Sequence, residues 1–182
     1  MKKKSILWEI IKSIVLSILI VFTINKWFFK PVEVVGVSMY PTLKNGERGF
    51  SSLIALKTEK LRRFDIVVVN TEQHGLIVKR LIALPNETIE INDNVLYINN
   101  QEIEQDFLNQ EYKASYQQST SQLFDRDFGP ITLNDDQYFV MGDNRPYSLD
   151  SRSAMGPFHA SDIISKDILI FYPLSELKYL GQ

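Results

Sequence analysis

The sequence predicts a mostly β domain that is preceded by one N-terminal transmembrane helix. Three observations support this fold class. An apolar run without charges lies near the N-terminus, helical periodicity is scarce after Pro31, and short apolar or alternating segments bounded by turn residues continue toward the C-terminus. With 182 residues, 45% of them hydrophobic, the chain can build one folded domain with a substantial core.

The apolar run lies between Lys12 and Lys26, and Trp8 and Trp27 flank it where aromatic residues mark the two membrane interfaces. A helix between these tryptophans is roughly 28 Å long, close to the roughly 30 Å thickness of a bilayer core. A cleavable export signal is the alternative, but no A-x-A-like site follows the run. We therefore expect a retained membrane anchor.

Lysines are more numerous before the uncharged apolar run than directly after it, which predicts a cytoplasmic N-terminus by the positive-inside rule. Those before it are Lys2, Lys3, Lys4 and Lys12, and those after it are Lys26 and Lys30. The predicted organisation is a cytoplasmic tip (residues 1–7), a transmembrane anchor (residues 8–30) and an extracytoplasmic domain (residues 31–182). Such a protein would cross the cell membrane once.

The domain contains several segments with strand character. The predicted strand regions are Arg63–Asn70, Gly75–Leu84, a meander over Thr88–Ile103, Gln137–Met141 and Asp167–Pro173. The stretch "TEQHG" is expected to be the turn between the first two. Residues 104–127 are polar and lack a regular period, so we expect a surface excursion there.

Composition excludes several functional classes. The net charge is −2 and the basic residues beyond the N-terminus are scattered, so the chain offers no basic face to nucleic acid. It has no cysteine, which removes thiolate nucleophiles, disulfides and cysteine-based metal centres. No metal or other cofactor is predicted. Any nucleophile must therefore be oxygen or nitrogen.

The segment "GVSMYPTL" places a hydroxyl residue, Ser38, between apolar neighbours close to the membrane. A serine nucleophile needs a base, and histidine is the usual one. His74 and His159 both lie in polar turns, where an ordinary surface histidine is expected, and the G-x-S-x-G pattern is absent around Ser38. A Ser-His-Asp triad is therefore not supported.

Lys79 is a different kind of candidate base. It stands within "LIVKRLIAL", where strand alternation places it on one face with Ile77 and Leu81. An ammonium group among aliphatic side chains is desolvated, which lowers its pKa and favours the neutral amine. The alternative is a lysine whose stem lies on the sheet while its charged end reaches water or a carboxylate.

A dense polar cluster, "GDNRPYSLDSR", follows the strand "YFVM". Its charged residues can tie a loop through charge-assisted hydrogen bonds, and either Ser148 or Ser151 can hold a lysine amine. The charged residues are Asp143, Arg145, Asp150 and Arg152. The alternative is a solvated turn whose polar groups form hydrogen bonds only with one another and with water.

These motifs, in this order behind an N-terminal anchor, resemble those of the type I signal peptidases, particularly the small single-anchor forms of Gram-positive bacteria. The motifs are "GVSMYPTL", "RFDIVVV", "VKRLIALPNETI" and "GDNRPYSLDSR". The resemblance implies coiled antiparallel β-sheets of the signal peptidase type. It also implies a serine endopeptidase that removes signal peptides from exported preproteins after small residues, through an acyl-enzyme and without a cofactor. Exported preproteins and membrane lipid are the implied partners, with secretion machinery as a further candidate.

The resemblance also assigns roles to individual residues. Ser38 corresponds to the nucleophile, Lys79 to the general base and Ser148 to the hydroxyl that orients the lysine. The residues that brace the site would be Asp143, Asp150 and Arg152. Those lining the substrate pockets would be Val34, Met39, Leu43 and Val78, and the substrate would add edgewise to a strand such as Val32–Val35.

Two positions depart from the family pattern. The Ser38 N–H matches one oxyanion-hole donor, but Gly36 stands where some relatives supply a second donor from a hydroxyl. The identity of a second donor therefore stays open. In "LPNE", Asn86 replaces a glycine, and we expect it to adopt the left-handed backbone conformation.

Other functions remain as alternatives at this stage. A catalytically silent relative that binds signal peptides would be expected to lack Ser38 or Lys79, and both are present. An enzyme dedicated to a few substrates, such as pilin subunits, would have the same motifs. A self-cleaving repressor also pairs serine with lysine, but it would need a DNA-binding domain in place of the anchor.

Overall fold

A computed structural model of the chain describes residues 2–181, apart from the side chains of residues 2–5 and 24–26. Met1 of the predicted tip and Gln182 of the predicted domain lie outside the described residues. The same is true of four lysine side chains that predict the orientation of the anchor, those of Lys2, Lys3, Lys4 and Lys26.

Helix α1 spans Lys2–Phe28 and opens the chain. Its segment Ile6–Thr23 has a mean hydropathy of 2.2, is long and apolar enough to cross a membrane, and is not buried against the rest of the protein. The sequence therefore continues from an apolar helix directly into strand β1 (Phe29–Glu33), without a linker between them.

The remaining elements are short strands and two short helices. In chain order they are β2 (Arg48–Ser52), α2 (Leu53–Thr58), β3 (Ile66–Thr71), β4 (Gly75–Ala83), β5 (Thr88–Asn92), β6 (Val95–Ile98), β7 (Gln101–Glu102), α3 (Gln110–Thr120), β8 (Phe128–Thr132), β9 (Gln137–Met141), β10 (Phe158–His159), β11 (Ile163–Tyr172) and β12 (Lys178–Leu180). This content confirms the predicted mostly β fold class.

The strands form two antiparallel sheets. The larger sheet has the order β1-β2-β11-β3-β4-β9-β10, with β12 paired to β11, and the smaller has the order β7-β6-β5-β8. Strand β1 is therefore an edge strand of the larger sheet. In β4, only Arg80 to Ala83 pair with β9, so the half of the strand before Arg80 is paired with β3 alone among the described strands.

Strand β3 is apolar without interruption because both of its faces are buried. Ile66 and Val68 belong to one apolar cluster, whereas Val67 and Val69 belong to another on the opposite face. A strand between two buried layers does not show polar alternation. The candidate site lies at the edge of the first of these clusters.

Several predicted details can be compared with the structure. The turn before β4 and the left-handed conformation of Asn86, with φ of 66°, agree with the predictions. Strand β3 starts later than predicted, because the N–H of Asp65 turns back to the Arg62 carbonyl at 3.2 Å. Strand β11 starts earlier than predicted, at Ile163, and carries a bulge near Asp167.

Residues 104–127, for which the sequence predicts no regular element, contain α3. The helix starts after Asn109, whose side chain accepts a hydrogen bond from the Tyr112 N–H at 2.8 Å. Its composition is mostly polar, so it has no apolar stripe to predict it. Tyr116 nevertheless packs with Leu108 and Phe124 in a small separate core, which attaches this segment to the domain.

Candidate active site

Ser38 lies in a tight turn between β1 and β2 and is partly exposed. Hydrogen bonds from the Tyr40 N–H to the Val37 carbonyl (3.0 Å) and from the Leu43 N–H to the Met39 carbonyl (2.8 Å) close the turn. The side chains of Met39 and Leu43 are buried in the core. The turn is therefore held by the buried side chains of Met39 and Leu43, while Ser38 remains partly accessible to solvent.

Lys79 lies near the middle of β4, and its side chain extends to Ser38 in the turn. Its Nζ lies 2.7 Å from Ser38 Oγ, and the residue is only 3% exposed. The structure thus brings together the two residues, separated by 41 positions in the chain, that the sequence predicts as nucleophile and base.

Burial lowers the pKa of Lys79 from its ordinary value of 10.5 to about 8. The charge of Arg152 adds to this effect, whereas the carboxylates of Asp150 and Asp143 act against it. An amine with such a pKa is neutral often enough near neutral pH to accept a proton from a hydroxyl.

Asp143 is buried beside the turn that contains Ser38 (residues 37–43, the predicted nucleophile turn) and holds it to β4. Its carboxylate accepts hydrogen bonds from Thr42 Oγ1 at 2.5 Å and from Arg80 Nε and Nη2 at 2.9 and 2.6 Å. Arg80 also lies over the ring of Phe107, with 4.1 Å between the guanidinium carbon and the ring centroid. The carboxylate of Asp143, which is predicted to brace the site, is therefore fully paired.

Asp150 and Arg152 form a second buried ion pair. Arg152 Nε and Nη2 donate to the two Asp150 carboxylate oxygens, each at 2.9 Å, and the Gly142 N–H donates to Asp150 at 3.0 Å. Burial alone would raise the pKa of Asp150, but the hydrogen bonds and charge of Arg152 outweigh it and hold that pKa below its ordinary value. Both residues are therefore charged near the dyad.

Asp125 is a component of the site that sequence reasoning missed. This buried carboxylate accepts hydrogen bonds from both Arg145 and Arg152, the latter at 3.0 Å. It belongs to the polar segment of residues 104–127, where nothing in the local pattern distinguishes it from a surface acid. The sequence predicts that the two arginines of "GDNRPYSLDSR" pair with the aspartates of the same loop, so it gives no signal of a further carboxylate.

Asn144 is a second such component. Its backbone N–H donates to the Ser38 carbonyl at 3.0 Å, and its side-chain Nδ2 donates to the Val37 carbonyl at 2.9 Å. Asn144 thereby holds the peptide groups on both sides of the Ser38 α-carbon, one of which contains the Ser38 N–H. The sequence placed an asparagine in the polar cluster but gave it no role.

Gly142 allows the polar loop to approach the nucleophile closely. A Cβ atom at this position would lie 2.3 Å from both the Ser38 carbonyl oxygen and Ser148 Oγ. Any side chain there would collide with the backbone of the nucleophile turn. The glycine is therefore required for packing and not only for turning the chain.

The two serines of the polar loop have different surroundings. Ser151 Oγ accepts the N–H of Val140 at 3.0 Å and so belongs to the packing of β9. Ser148 Oγ is buried next to Gly142 and helps to lower the pKa of Asp150, but it has no hydrogen-bond partner of good geometry among the described residues. The predicted bond from Ser148 to Lys79 is absent, and its orienting role stays a prediction.

The four residues predicted to line substrate pockets lie together below the dyad. Val34, Met39 and Leu43 are buried members of one apolar cluster, and Val78 is partly buried against it. The exposed aliphatic residues nearest in sequence to Ser38 are instead Val35 and Val37. The predicted residues therefore belong to one apolar cluster of the core, whereas these two valines are exposed to solvent.

The backbone N–H groups of Ser38 and Gly36 differ in whether they are already bonded. The Ser38 N–H has no acceptor among the described residues, so it is available to a ligand. The Gly36 N–H is occupied, because it donates to Asn45 Oδ1 at 2.8 Å. The second oxyanion donor that the sequence left open is therefore not this amide.

Neither histidine belongs to the site. His159 is exposed and pairs with Asp136 at 2.7 Å, and His74 is exposed in the turn before β4. Across residues 2–181, no group of three or more histidine, aspartate or glutamate residues is arranged to hold a metal ion.

Comparison with known proteins gives consistent matches over almost the whole chain. Residues 7–172 match the family model described as signal peptidase, peptidase S26. The chain is 41% identical to signal peptidase I S of Bacillus subtilis (strain 168), a match that covers 97% of this chain and 95% of that protein. It is 38% identical to signal peptidase I P of Bacillus subtilis subsp. natto, with coverage of 98% and 96% respectively.

A solved structure also matches. The crystal structure of a signal peptidase I from Enterococcus faecalis V583 superposes with a TM-score of 0.52 and 34% sequence identity. The superposition covers 59% of this chain and 97% of that one.

Proposed function

Because this chain belongs to the signal peptidase family, peptidase S26, whose members are serine endopeptidases that remove signal peptides, we propose that Ser38 is its nucleophile and Lys79 its general base. The observation that carries this proposal is the 2.7 Å separation of Lys79 Nζ and Ser38 Oγ, together with the burial of the lysine. Burial supplies the neutral amine, and the short distance supplies the path for the proton.

In the first half of the reaction, Ser38 Oγ attacks the carbonyl carbon of the scissile peptide bond while neutral Lys79 accepts the hydroxyl proton. The Ser38 N–H, which has no other acceptor among the described residues, donates to the oxyanion that forms. The C–N bond then breaks, and the Lys79 ammonium returns its proton to the leaving amine. The product is an ester between Ser38 and the signal peptide.

In the second half, the neutral amine of Lys79 removes a proton from a water molecule, which attacks the ester carbonyl. Ser38 regains its proton when the ester bond breaks. Both halves require the lysine to return to its neutral state, which its pKa of about 8 favours. The ion pairs of Asp143 and Asp150 brace the polar loop around this chemistry without contacting the reacting atoms.

The substrates we propose are exported preproteins with small residues before the cleavage site. The half of β4 before Arg80 has one strand edge unpaired among the described strands, and an extended peptide can add to such an edge. The apolar cluster that contains Val34, Met39 and Leu43, with Val78 packed against it, suits small apolar side chains of such a peptide. Beyond β1, Val35 and Val37 are exposed and border the same region.

We also propose that the enzyme is anchored in the cell membrane by α1, with its domain on the extracytoplasmic side. The membrane contact is supported by two exposed aromatic residues next to the end of α1, Phe29 and Phe171, which flank the half-buried Phe50. Phe50 lies 6.4 Å from Phe29 and 5.0 Å from Phe171, measured between ring centroids. These rings lie where the chain leaves the predicted anchor, and lipid would cover them.

The test uses the full chain in detergent with a preprotein whose signal ends in Ala-x-Ala. We expect Ser38→Ala and Lys79→Ala to be folded and inactive. Two exposed residues of the same types supply matched controls, and Ser175→Ala and Lys60→Ala should retain full activity. Folded Ser38→Ala or Lys79→Ala protein with full activity would refute the dyad, and a wild-type protein that binds the preprotein without cleaving it would identify a silent relative.

A further inference from the structure

Helix α3 lies against the nucleophile turn. The Tyr112 hydroxyl donates to Asn144 Oδ1 at 3.1 Å, and the Tyr112 ring meets that of Tyr40 edge-on, with 5.1 Å between centroids and an angle of 76°. Tyr40 is two residues after Ser38. A helix that the sequence did not predict therefore contacts the turn that carries the nucleophile.

The bond from Tyr112 fixes the orientation of the Asn144 amide. A side-chain amide has one accepting oxygen and one donating nitrogen, and the two can exchange places by rotation. Because the Tyr112 hydroxyl donates to the oxygen, the nitrogen is directed to the Val37 carbonyl, which it reaches at 2.9 Å. The Val37 carbonyl belongs to the peptide whose N–H is that of Ser38. The orientation of the amide thus bears on the oxyanion donor.

The burial of Asn144 strengthens this dependence. The residue is 2% exposed, so an unpaired amide oxygen there could not be satisfied by bulk water. Burial also raises the pKa of Tyr112, which keeps its hydroxyl protonated and able to donate over the whole pH range of interest.

The same segment contacts the opposite side of the site. The Tyr116 ring packs edge-on against Tyr147, with 6.0 Å between centroids, and Tyr147 directly precedes Ser148. Asp125 adds its contacts to Arg145 and Arg152. The segment of residues 104–127 therefore joins the nucleophile turn to the polar loop.

We propose that Tyr112 is a positioning residue for the nucleophile, acting through Asn144 on the peptide group between Val37 and Ser38. This inference rests on the proposed function. Removing the Tyr112 hydroxyl frees the Asn144 amide to rotate and loosens the Ser38 N–H, which matters most when the oxyanion forms. The change therefore lowers kcat and leaves KM, which reflects substrate binding along β4, nearly unchanged.

The experiment compares Tyr112→Phe with Tyr116→Phe in the full chain, using the same Ala-x-Ala preprotein. Tyr116 is the matched control because it lies in the same helix and its hydroxyl bonds to Gln122 instead of Asn144. We expect Tyr112→Phe to lower kcat roughly threefold to tenfold, the effect of one buried hydrogen bond. The midpoint of its pH profile should not move, because the surroundings of Lys79 are intact.

A double-mutant comparison tests the route through Asn144. In an Asn144→Ala background, Tyr112→Phe should have no further effect on kcat, because the side-chain amide that the Tyr112 hydroxyl binds has already been removed. An unchanged kcat in Tyr112→Phe, an equal loss in Tyr116→Phe, or losses that multiply in the double variant would each overturn the inference. These outcomes presuppose that the wild-type chain cleaves and that Ser38→Ala does not. Failure of either condition would instead count against the proposed function.

Discussion

Replacing Lys79 with methionine should abolish cleavage and make the protein more stable. Methionine has a similar length and no charge, so it fills the same space without requiring a buried ammonium. At pH 7 most Lys79 side chains are protonated although burial opposes that charge. The folded state therefore carries an electrostatic cost at this position that the variant lacks.

The size of the effect follows from the pKa of Lys79. Its displacement from 10.5 to about 8 corresponds to roughly 3 kcal/mol. Because the pKa is lower in the folded state, the cost is fully present below pH 8, declines as the pH rises and vanishes above pH 10.5. Allowing for the lost contact with Ser38, Lys79→Met should raise the free energy of unfolding at pH 7 by roughly 2 kcal/mol.

Denaturant unfolding of the full chain in detergent, followed at pH 7 and pH 10, measures this difference. Lys166→Met is the control, because Lys166 is also buried but pairs with Asp65 at 3.0 Å, and its pKa is raised. Removing that lysine leaves a buried carboxylate unpaired and should destabilise the protein by about 3 kcal/mol. A Lys79→Met protein that is less stable than wild type at pH 7, or a difference independent of pH, would refute the reasoning.

Three further predictions follow from the site. The kcat should rise with pH to a plateau, with a midpoint near 8. Arg152→Gln should move that midpoint upward, because the Arg152 charge lowers the pKa of Lys79. A midpoint near 10.5 in wild type, or a downward shift in the variant, would contradict this. Gly142→Ala should be folded but nearly inactive, since its Cβ would lie 2.3 Å from the Ser38 carbonyl oxygen; wild-type kcat would show that the turn can yield. Asp143→Ala should cost about 3 kcal/mol in denaturant unfolding, because its arginine partner is left buried without a counter-ion; a loss under 1 kcal/mol would mean that water replaces the carboxylate.

The sequence was most informative where one local pattern determined the structure. The apolar run predicted α1, and the uninterrupted valines of β3 predicted a strand. The valines are uninterrupted because both faces of that strand are buried. Strand β1 and helix α3 have no comparable pattern. The pairing of β1 with β2 depends on contacts across the intervening turn, and α3 is held by two tyrosines and a cap instead of an apolar stripe.

The same distinction applies to the site. Ser38 and Lys79 stood out because each is chemically unusual in its surroundings, a serine in an apolar turn and a lysine in an apolar strand. Asp125 and Asn144 are ordinary residues in polar segments, and only the folded chain shows their partners. The sequence therefore predicted Ser38 and Lys79 from their local surroundings, whereas Asp125 and Asn144 can be recognised only from contacts between distant segments.

The arrangement of charges explains how the pKa of Lys79 stays low in a site that contains two carboxylates. Asp143 and Asp150 both favour the ammonium form of Lys79, yet each is committed to an arginine, Arg80 and Arg152 respectively. The hydrogen-bonding capacity of the carboxylates is directed to these partners, and Arg152 itself opposes a further positive charge. The ion pairs can therefore hold the loop rigid without supplying a counter-ion to the amine. Burial is then the largest influence on the pKa of Lys79 and keeps it near 8. The ion pairs that brace the site thus leave the amine able to lose its proton and act as a base.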